Sequence, residues 1–542
     1  MKIDNPLQVV DLFAGPGGLG EGFSSLNDGK SFQVLVSAEM DPFARKTLRL
    51  RAFYRALKKN NPSALGDYYK YCETDGASQP WTSASHEQWL DADREARQIK
   101  LGSTEGNAEL DAILESRLDT GKPWVLIGGP PCQAYSLVGR ARNKGNSEYK
   151  AEDDSRHYLY REYLRIIQSK KPAVFVMENV KGILSSKIGG EQIFPQIVKD
   201  LADPDTALGI KSENSSKYKI FSLVSDDVYE SGMDPAELDF SNFIIRSEQY
   251  GIPQGRHRVI LVGVSEAYIA GSQDHKLVPV QRPPTVGDMI GRLPPLRSTV
   301  SRGNDTADFW CSEILGHLEN LRTDLVASGK RDFLLEMELK IVRDSFSGGR
   351  LNKGGLRVRK DKNWCGEIDD SGLDSWFSDR RLNVWLNHEA RGHMSGDLKR
   401  YVYAATFAQA HRFSPKGHQQ FDLPGLAPLH RNWESGKFSD RFRVQVKNQP
   451  ASTITSHISK DGHYFIHYDP NQCRSLTVRE AARLQTFPDN YFFLGNRTQQ
   501  YHQVGNAVPP LLASYIAKVV EGIITGERNP GATLTAKNMS EV

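Results

Sequence analysis

The 542-residue chain has few cysteines, almost no net charge and no long apolar run. Its five cysteines, Cys72, Cys132, Cys311, Cys365 and Cys473, are odd in number and widely spaced, with no CxxC pair. That excludes a disulfide framework and the usual zinc sites, and fits a reducing cytoplasm. No apolar stretch approaches the roughly 18 residues that span a bilayer, and the opening MKIDNPLQVVDLF runs straight into a strand-like segment, so neither a membrane nor an export leader is expected. A net charge of +3 neither requires nor excludes a nucleic-acid partner, because local clustering of cations decides that. There is no internal repeat. Hydrophobic residues at 39% and charged residues at 25% place the chain among globular proteins, and its length allows two or three domains.

Present instead are short apolar runs: Leu7 to Phe13, Phe32 to Ala38, Trp124 to Ile127, Ala173 to Met177 and Val259 to Val264. Helix-like segments such as Tyr158 to Gln168 lie between some of them. This rhythm predicts an α/β fold, a Rossmann-like, doubly wound and mostly parallel sheet. Residues 58–122 are polar and read as an insertion with helices of its own. From Pro283 the rhythm fails, and a second domain is expected at 283–449, inserted between a first catalytic part at 1–282 and a closing part at 450–524. The closing part carries helical spacing over Ser475 to Leu484 and Val504 to Val520. The polar residues 525–542 are expected to form a frayed tail.

The first strand runs into Ala14-Gly15-Pro16-Gly17-Gly18-Leu19-Gly20, a turn that opens a helix and lets a ligand approach bare backbone. The second strand ends in Glu39, where a carboxylate can accept hydrogen bonds from both hydroxyls of a ribose. At this point nicotinamide and S-adenosylmethionine cofactors both fit. Downstream, strand Trp124 to Ile127 runs into Gly128-Gly129-Pro130-Pro131-Cys132-Gln133-Ala134-Tyr135-Ser136. A rigid Pro-Pro turn holds a cysteine on a defined path, as a nucleophile requires.

These residues resemble the Pro-Cys motif of the DNA cytosine-5 methyltransferases, the bacterial restriction-modification type in particular. Six further segments follow in that family's order: Phe13 to Gly18, Glu39-Met40-Asp41, Glu178-Asn179-Val180, Gln254-Gly255-Arg256-His257-Arg258, Arg479 to Gln485, and Gly505-Asn506-Ala507-Val508-Pro509-Pro510. The resemblance covers roughly residues 7–265 and 450–520. One departure stands out: the family's third-strand aspartate, which meets the adenine amino group, has no clear counterpart between Tyr54 and Lys122.

The resemblance implies methyl transfer from S-adenosyl-L-methionine to C5 of a cytosine that is flipped out of double-stranded DNA. Cys132 is implied as the nucleophile that adds to C6, Glu178 as the donor at N3, Arg256 as the cation at O2 and Arg258 as a brace. Cofactor contacts are implied at Phe13, Ala14, Gly15, Gly17, Gly18 and Leu19 of the turn, and at Glu39, Met40, Pro130, Asn506 and Ala507. No metal is expected.

Flipping a base demands a grip on the flanking strands. The basic loop Gly139-Arg140-Ala141-Arg142-Asn143-Lys144-Gly145 suits phosphates, and Gln133, Ser136 and Gln254 join it as expected DNA contacts. In the middle segment Arg350, Lys353, Arg357, Arg359, Lys360 and Lys362 face a single Asp361. Arg357 and Arg359 there are the expected groove-facing pair for base reading. Asn387-His388-Glu389-Ala390-Arg391-Gly392-His393 lacks metalloprotease spacing and reads as structural or DNA-facing. A transfer-RNA substrate would call for a Cys-Phe-Thr motif, which is missing. A silent DNA-binding regulator would not need Cys132 and Glu178, and a fused nuclease lacks a PD(D/E)xK pattern. The expectation is a monomer acting on DNA in the cytoplasm, paired with a separately encoded restriction endonuclease.

Overall fold

The protein is a computed structural model, which describes residues 5–131, 159–188, 190–211, 216–271, 276–301, 305–361, 368, 373–428, 433 and 441–527. Five strands run parallel: β1 (Leu7–Leu12), β2 (Phe32–Glu39), β3 (Ala96–Gln98), β4 (Trp124–Gly128) and β5 (Val174–Val180). They lie in the order β3-β2-β1-β4-β5. Between them come α1 (Gly18–Ser25), α2 (Pro42–Asn60), α3 (Gly66–Glu73), α4 (His86–Glu95), α5 (Thr104–Arg117) and α6 (Leu159–Lys170).

The strands are continuously apolar because both faces of the sheet are covered. Val9, Val34, Val125 and Val176 enter one core, while Val10, Val36, Leu126 and Phe175 enter the other. After α7 (Ile193–Ala202), the sheet grows by β6 (Tyr218–Phe221), β7 (Val228–Tyr229), β8 (Ile244–Arg246) and β9 (His257–Ser265). β9 runs antiparallel to β5, with Ile260 opposite Glu178 and Arg258 opposite Val180. It also pairs antiparallel with β6 and β8, giving a nine-stranded sheet.

Residues 58–122 are not a simple insertion. They contain β3, the third parallel strand, and α5, the crossover to β4. β3 has three residues, Ala-Arg-Gln, at a sheet edge, so it carries no apolar run by which to recognise it. Only the stretch through α3 and α4 is added to the crossover.

In the middle segment, α8 (Ala307–Ala327) and α9 (Phe333–Asp344) pack with a later helix, α10 (Ser395–His411), around Trp310, Leu318, Leu339 and Tyr401. Between α9 and α10 lies an antiparallel hairpin, β10 (Gly354–Arg359) and β11 (Val384–Glu389). The expected domain limits at 283 and 449 shift in packing terms. Val286, Met289 and Leu293 join the core of the nine-stranded sheet, while Ile466 and Cys473 join the helical cluster. The hairpin packs against the sheet's own core, sending Trp385 into it and Val384 and Leu386 toward α3.

The chain closes with α11 (Val478–Leu484), α12 (Arg497–Asn506) and α13 (Pro510–Thr525). By length and composition Arg497–Thr525 is apolar enough to cross a bilayer, contrary to the reading from the sequence, but 89% of its most apolar window is buried inside the protein. Its hydrophobicity serves the core.

Candidate active site

Strand order reverses between β1 and β4, which opens a crevice at the carboxyl ends of the parallel strands. Phe13, Gly15 and Gly17 all take positive φ there, turning the chain sharply into α1. Gly15 N donates to Glu39 Oε2 at 2.7 Å and Asp41 N to Oε1 at 2.7 Å, so one carboxylate ties the end of β2 to the turn. Burial raises the Glu39 pKa, and the amides of Asp41 and Gly15 oppose it. Beside it Met40 is 60% exposed, an apolar surface facing outward next to an acid.

Gly18 has no room for a side chain, since a Cβ would lie 2.1 Å from the carbonyl oxygen of Val508. That contact brings the Ala507-Val508 turn against the glycine-rich turn although nearly 500 residues separate them. Leu19 turns its side chain into the core, leaving its backbone as the part that can face a ligand. Gly128 pairs opposite Leu12, so Ala14 and Pro130 follow adjacent strand ends. Asn506 is exposed at the end of α12, with its amide against His502 Nδ1 at 3.2 Å. The bare backbone, the ribose-suited acid and the exposed Met40 fit S-adenosylmethionine. β3 ends opposite Glu39 in Gln98, an exposed amide followed by Ile99 and Lys100 and not by an acid.

At the next strand end, Glu178 Oε2 lies 3.0 Å from where a Cβ on Gly129 would be, directly before Pro130-Pro131-Cys132. Its other oxygen forms an ion pair with Arg258 Nε at 2.8 Å. Register explains the pair, since Glu178 and Arg258 project from one face of antiparallel β5 and β9, two positions apart. Burial lowers the Arg258 pKa and Glu178 opposes it.

Arg256 is placed differently from the expectation. It is 3% exposed, and its Nη1 donates to the carbonyls of Ile454 at 2.8 Å and Gly505 at 3.3 Å. Burial, then the neighbouring charge of Arg258, pushes its pKa well below the ordinary value. Arg256 therefore pins the closing segment to the sheet, and Arg258 is the cation beside Glu178.

Two expected DNA contacts are held by protein partners in this structure. Gln254 is fully buried, donating to Leu484 O at 2.9 Å and Gln485 Oε1 at 2.6 Å and accepting from Ile454 N at 3.0 Å, so none of its polar atoms is left for DNA. Arg357 is tied to α3, with Nε on Cys72 O at 2.7 Å and Nη1 on Asp75 at 3.1 Å. Arg359 is exposed. Cys132, Gln133, Ser136, Arg140 and Arg142 lie outside the described residues, as do Cys365 and Lys362.

The histidine-rich segment is structural. His388 is buried between Thr477 Oγ1 at 3.0 Å and Pro294 O at 2.8 Å, and burial pushes its pKa down to about 4. Asn387 exchanges two hydrogen bonds with the Phe493 backbone. Among the described residues no group of three His, Cys, Asp or Glu could hold a metal. Nor do Cys72 and Cys473 suit a nucleophile: both are buried, the Cys72 thiol being pushed up to about 12 and that of Cys473 further.

The profile of the family described as C-5 cytosine-specific DNA methylase matches residues 101–220 and 365–522. Type II methyltransferase M.Bpa9945I of Bacillus paralicheniformis is 32% identical over 96% of this chain and 99% of its own length. The chain belongs to the C-5 cytosine-specific DNA methylase family. Type II methyltransferase M.AgeI of Thalassovita gelatinovora is 23% identical over 96% of this chain and its full length. DNA (cytosine-5-)-methyltransferase M.ApeKI of Aeropyrum pernix is 25% identical, covering 74% of this chain and 81% of its own. The protein is thus a DNA (cytosine-5-)-methyltransferase that takes its methyl group from S-adenosyl-L-methionine, and its sheet is that of the family.

The sequence reading missed two features of this site. One is Gln98, hidden by the brevity of β3. The other is Asp11, 1% exposed beneath the turn, with neither carboxylate oxygen in a hydrogen bond of good geometry. A charged residue inside the apolar run Leu7 to Leu12 was the available signal for the latter.

Proposed function

We propose that Cys132, Glu178 and Arg258 form the reacting centre for a cytosine flipped from duplex DNA, with Cys132 adding to C6. The single observation that carries this reading is the Glu178 carboxylate beside Gly129 and paired with Arg258, at the root of the Pro-Pro-Cys segment. C5 of cytosine is a weak nucleophile. Bonding the Cys132 thiolate to C6 breaks the C5–C6 π bond and sends its electrons toward C5 and the ring amidine. Negative charge then develops at N3 and O2. Glu178 holds the proton at N3 and Arg258 offers its guanidinium to O2, two preorganised partners for charge that appears only during reaction. Phe13, Ala14, Gly15, Gly17, Gly18, Leu19, Glu39, Met40, Pro130, Asn506 and Ala507 would hold S-adenosylmethionine, whose sulfonium would supply the methyl group for C5 and leave as the neutral thioether S-adenosylhomocysteine. A base, an ordered water, then takes the C5 proton, the C5–C6 double bond re-forms and Cys132 leaves as thiolate.

In this reading Gln98 stands where a third-strand acid would meet the adenine amino group, its amide oxygen accepting in place of a carboxylate. Gln133, Ser136, Arg140, Arg142 and Arg359 contact DNA. The helical segment and the hairpin together serve as the target-recognition domain. The type II naming of the relatives supports a modification enzyme of a restriction-modification system; in this reading it acts as a monomer on double-stranded DNA in the cytoplasm, partnered by a separately encoded restriction endonuclease. Bisulfite sequencing of DNA from cells expressing the intact chain or Cys132→Ala tests the reading. Methylcytosine at a defined sequence is expected from the first alone, and its absence from both would overturn it.

A further inference from the structure

We propose that α3 and the few residues after it clamp the β10/β11 hairpin in place, and that Arg357 is a positioning residue for DNA sequence selection. The proposal rests on the reading of the hairpin as part of the recognition surface. Arg357 lies on strand β10, two residues before exposed Arg359. Its guanidinium reaches the carboxyl end of α3, donating from Nε to Cys72 O at 2.7 Å and from Nη2 to Tyr71 O at 3.2 Å. Carbonyls in the last turn of a helix lack intrahelical partners and carry the negative end of its dipole, so a cation bonded there is doubly satisfied. Asp75 adds an ion pair at 3.1 Å, and the guanidinium plane lies 4.9 Å from the centre of the Phe492 ring. Only a planar fork can serve two carbonyls, a carboxylate and a ring together, and a lysine at this position could not.

The partner strand is held from the same helix. Glu73 Oε1 accepts from both the backbone N of Asn383 at 2.8 Å and its Nδ2 at 3.0 Å. Tyr69 OH donates to Asp379 Oδ2 at 2.7 Å. On the opposite face Lys360 lies 4.6 Å from the Trp385 ring centre and donates to Asp379 O at 3.2 Å. Lys360 braces the hairpin from within, while α3 holds one face and Trp385, seated in the main core, holds the other, so Arg359 projects from a fixed base. Side chains that read base edges need such a base, since a shift of 1 Å breaks a bidentate contact.

The test uses the full chain on a random-sequence duplex library, with methylated sites read by bisulfite sequencing, in Arg357→Lys, Arg357→Gln and Glu73→Gln. The expected result for all three is a KM for DNA raised about tenfold and about tenfold more methylation outside the parent sequence. At saturating cognate DNA, kcat and S-adenosylmethionine binding stay within about threefold of the parent. Glu73→Gln removes an acid, so a purely electrostatic effect would tighten DNA binding instead. The proposal is overturned if Glu73→Gln keeps the parent selectivity, or if the Arg357 variants weaken all sequences equally with the salt slope reduced by about one, the mark of a lost phosphate contact. Failure of the parent to methylate any sequence would count against the proposed centre instead, which keeps the two readings separate.

Discussion

Arg258 Nε stands 2.8 Å from Glu178 Oε1 across two antiparallel strands, whereas Arg256, two residues earlier, is turned away into carbonyls of the closing segment. The two arginines of one short motif therefore differ in what their loss should do. Arg258→Ala removes a preorganised cation from the proposed reacting centre and is expected to lower kcat by about 100-fold or more with the melting temperature nearly kept. Arg256→Ala leaves the buried carbonyls of Ile454 and Gly505 unpaired and is expected to cost about 1–3 kcal/mol of stability. Single-turnover methylation and thermal melts on both variants check this, and equal loss of stability in the two would refute the division of roles.

Nucleophile identity can be tested without steady-state turnover. Fluorine at C5 of the target cytosine cannot leave as a proton does, so the final elimination stops and the thiol stays bonded to C6. Duplex DNA carrying 5-fluorocytosine is expected to give a denaturation-stable adduct with the parent, Cys72→Ala, Cys311→Ala and Cys473→Ala, and none with Cys132→Ala. The burial of Cys72 and Cys473 argues the same way, because a thiol at about 12 is almost never thiolate at neutral pH. An adduct in Cys132→Ala would count against the assignment.

The sheet and its glycine-rich turn were legible because strands buried on both faces read as uninterrupted apolar runs, and because the Gly15 to Gly18 turn has a recognisable composition. β3 was not legible. Three residues, one of them apolar, leave no periodicity, and its place depends on pairing with β2 that only three dimensions reveal. The place of Arg357 was not legible for a related reason. Sequence shows a cluster of cations but not which of them faces a helix terminus formed nearly 300 positions earlier. The burial of Gln254 and Arg256 was not legible either, because a motif gives residue types in order and not which of them the closing segment covers.

Asp11 gives a pH-dependent prediction. Burial, followed by the nearby charges of Glu39 and Glu95, raises its pKa well above the ordinary carboxylate range. The folded protein therefore holds a proton that the unfolded chain releases above pH ~3.9, and stability contributed by the neutral form declines as pH rises toward the folded pKa. Asp11→Asn removes that dependence. It is expected to be more stable than the parent at pH 7 by about 1–3 kcal/mol, the difference shrinking as pH falls toward 4. Chemical denaturation of both proteins across pH 4 to 8 measures it, and a constant offset would show that Asp11 does not titrate in this range.

Glu480 shifts the other way. It is 1% exposed, and although burial alone would raise its pKa, Arg474, bonded through Nη1 at 2.7 Å and Nη2 at 2.6 Å, brings it far below the ordinary value. Its stabilising contribution is complete above the unfolded carboxylate pKa and is lost as pH falls through the folded one. The pair also closes the capping box of α11, where Glu480 Oε2 accepts from Thr477 N at 2.8 Å, so it anchors the helix against which Gln254 and His388 pack. Glu480→Gln leaves Arg474 buried without a counter-charge and is expected to cost about 3–5 kcal/mol at pH 7. Changing both residues to well-packed apolar side chains should cost less, because no lone charge then remains inside. Denaturant melts of the single and double variants decide between the two, and a double variant as unstable as the single one would show that the hydrogen bonds, not the unpaired charge, hold this junction together.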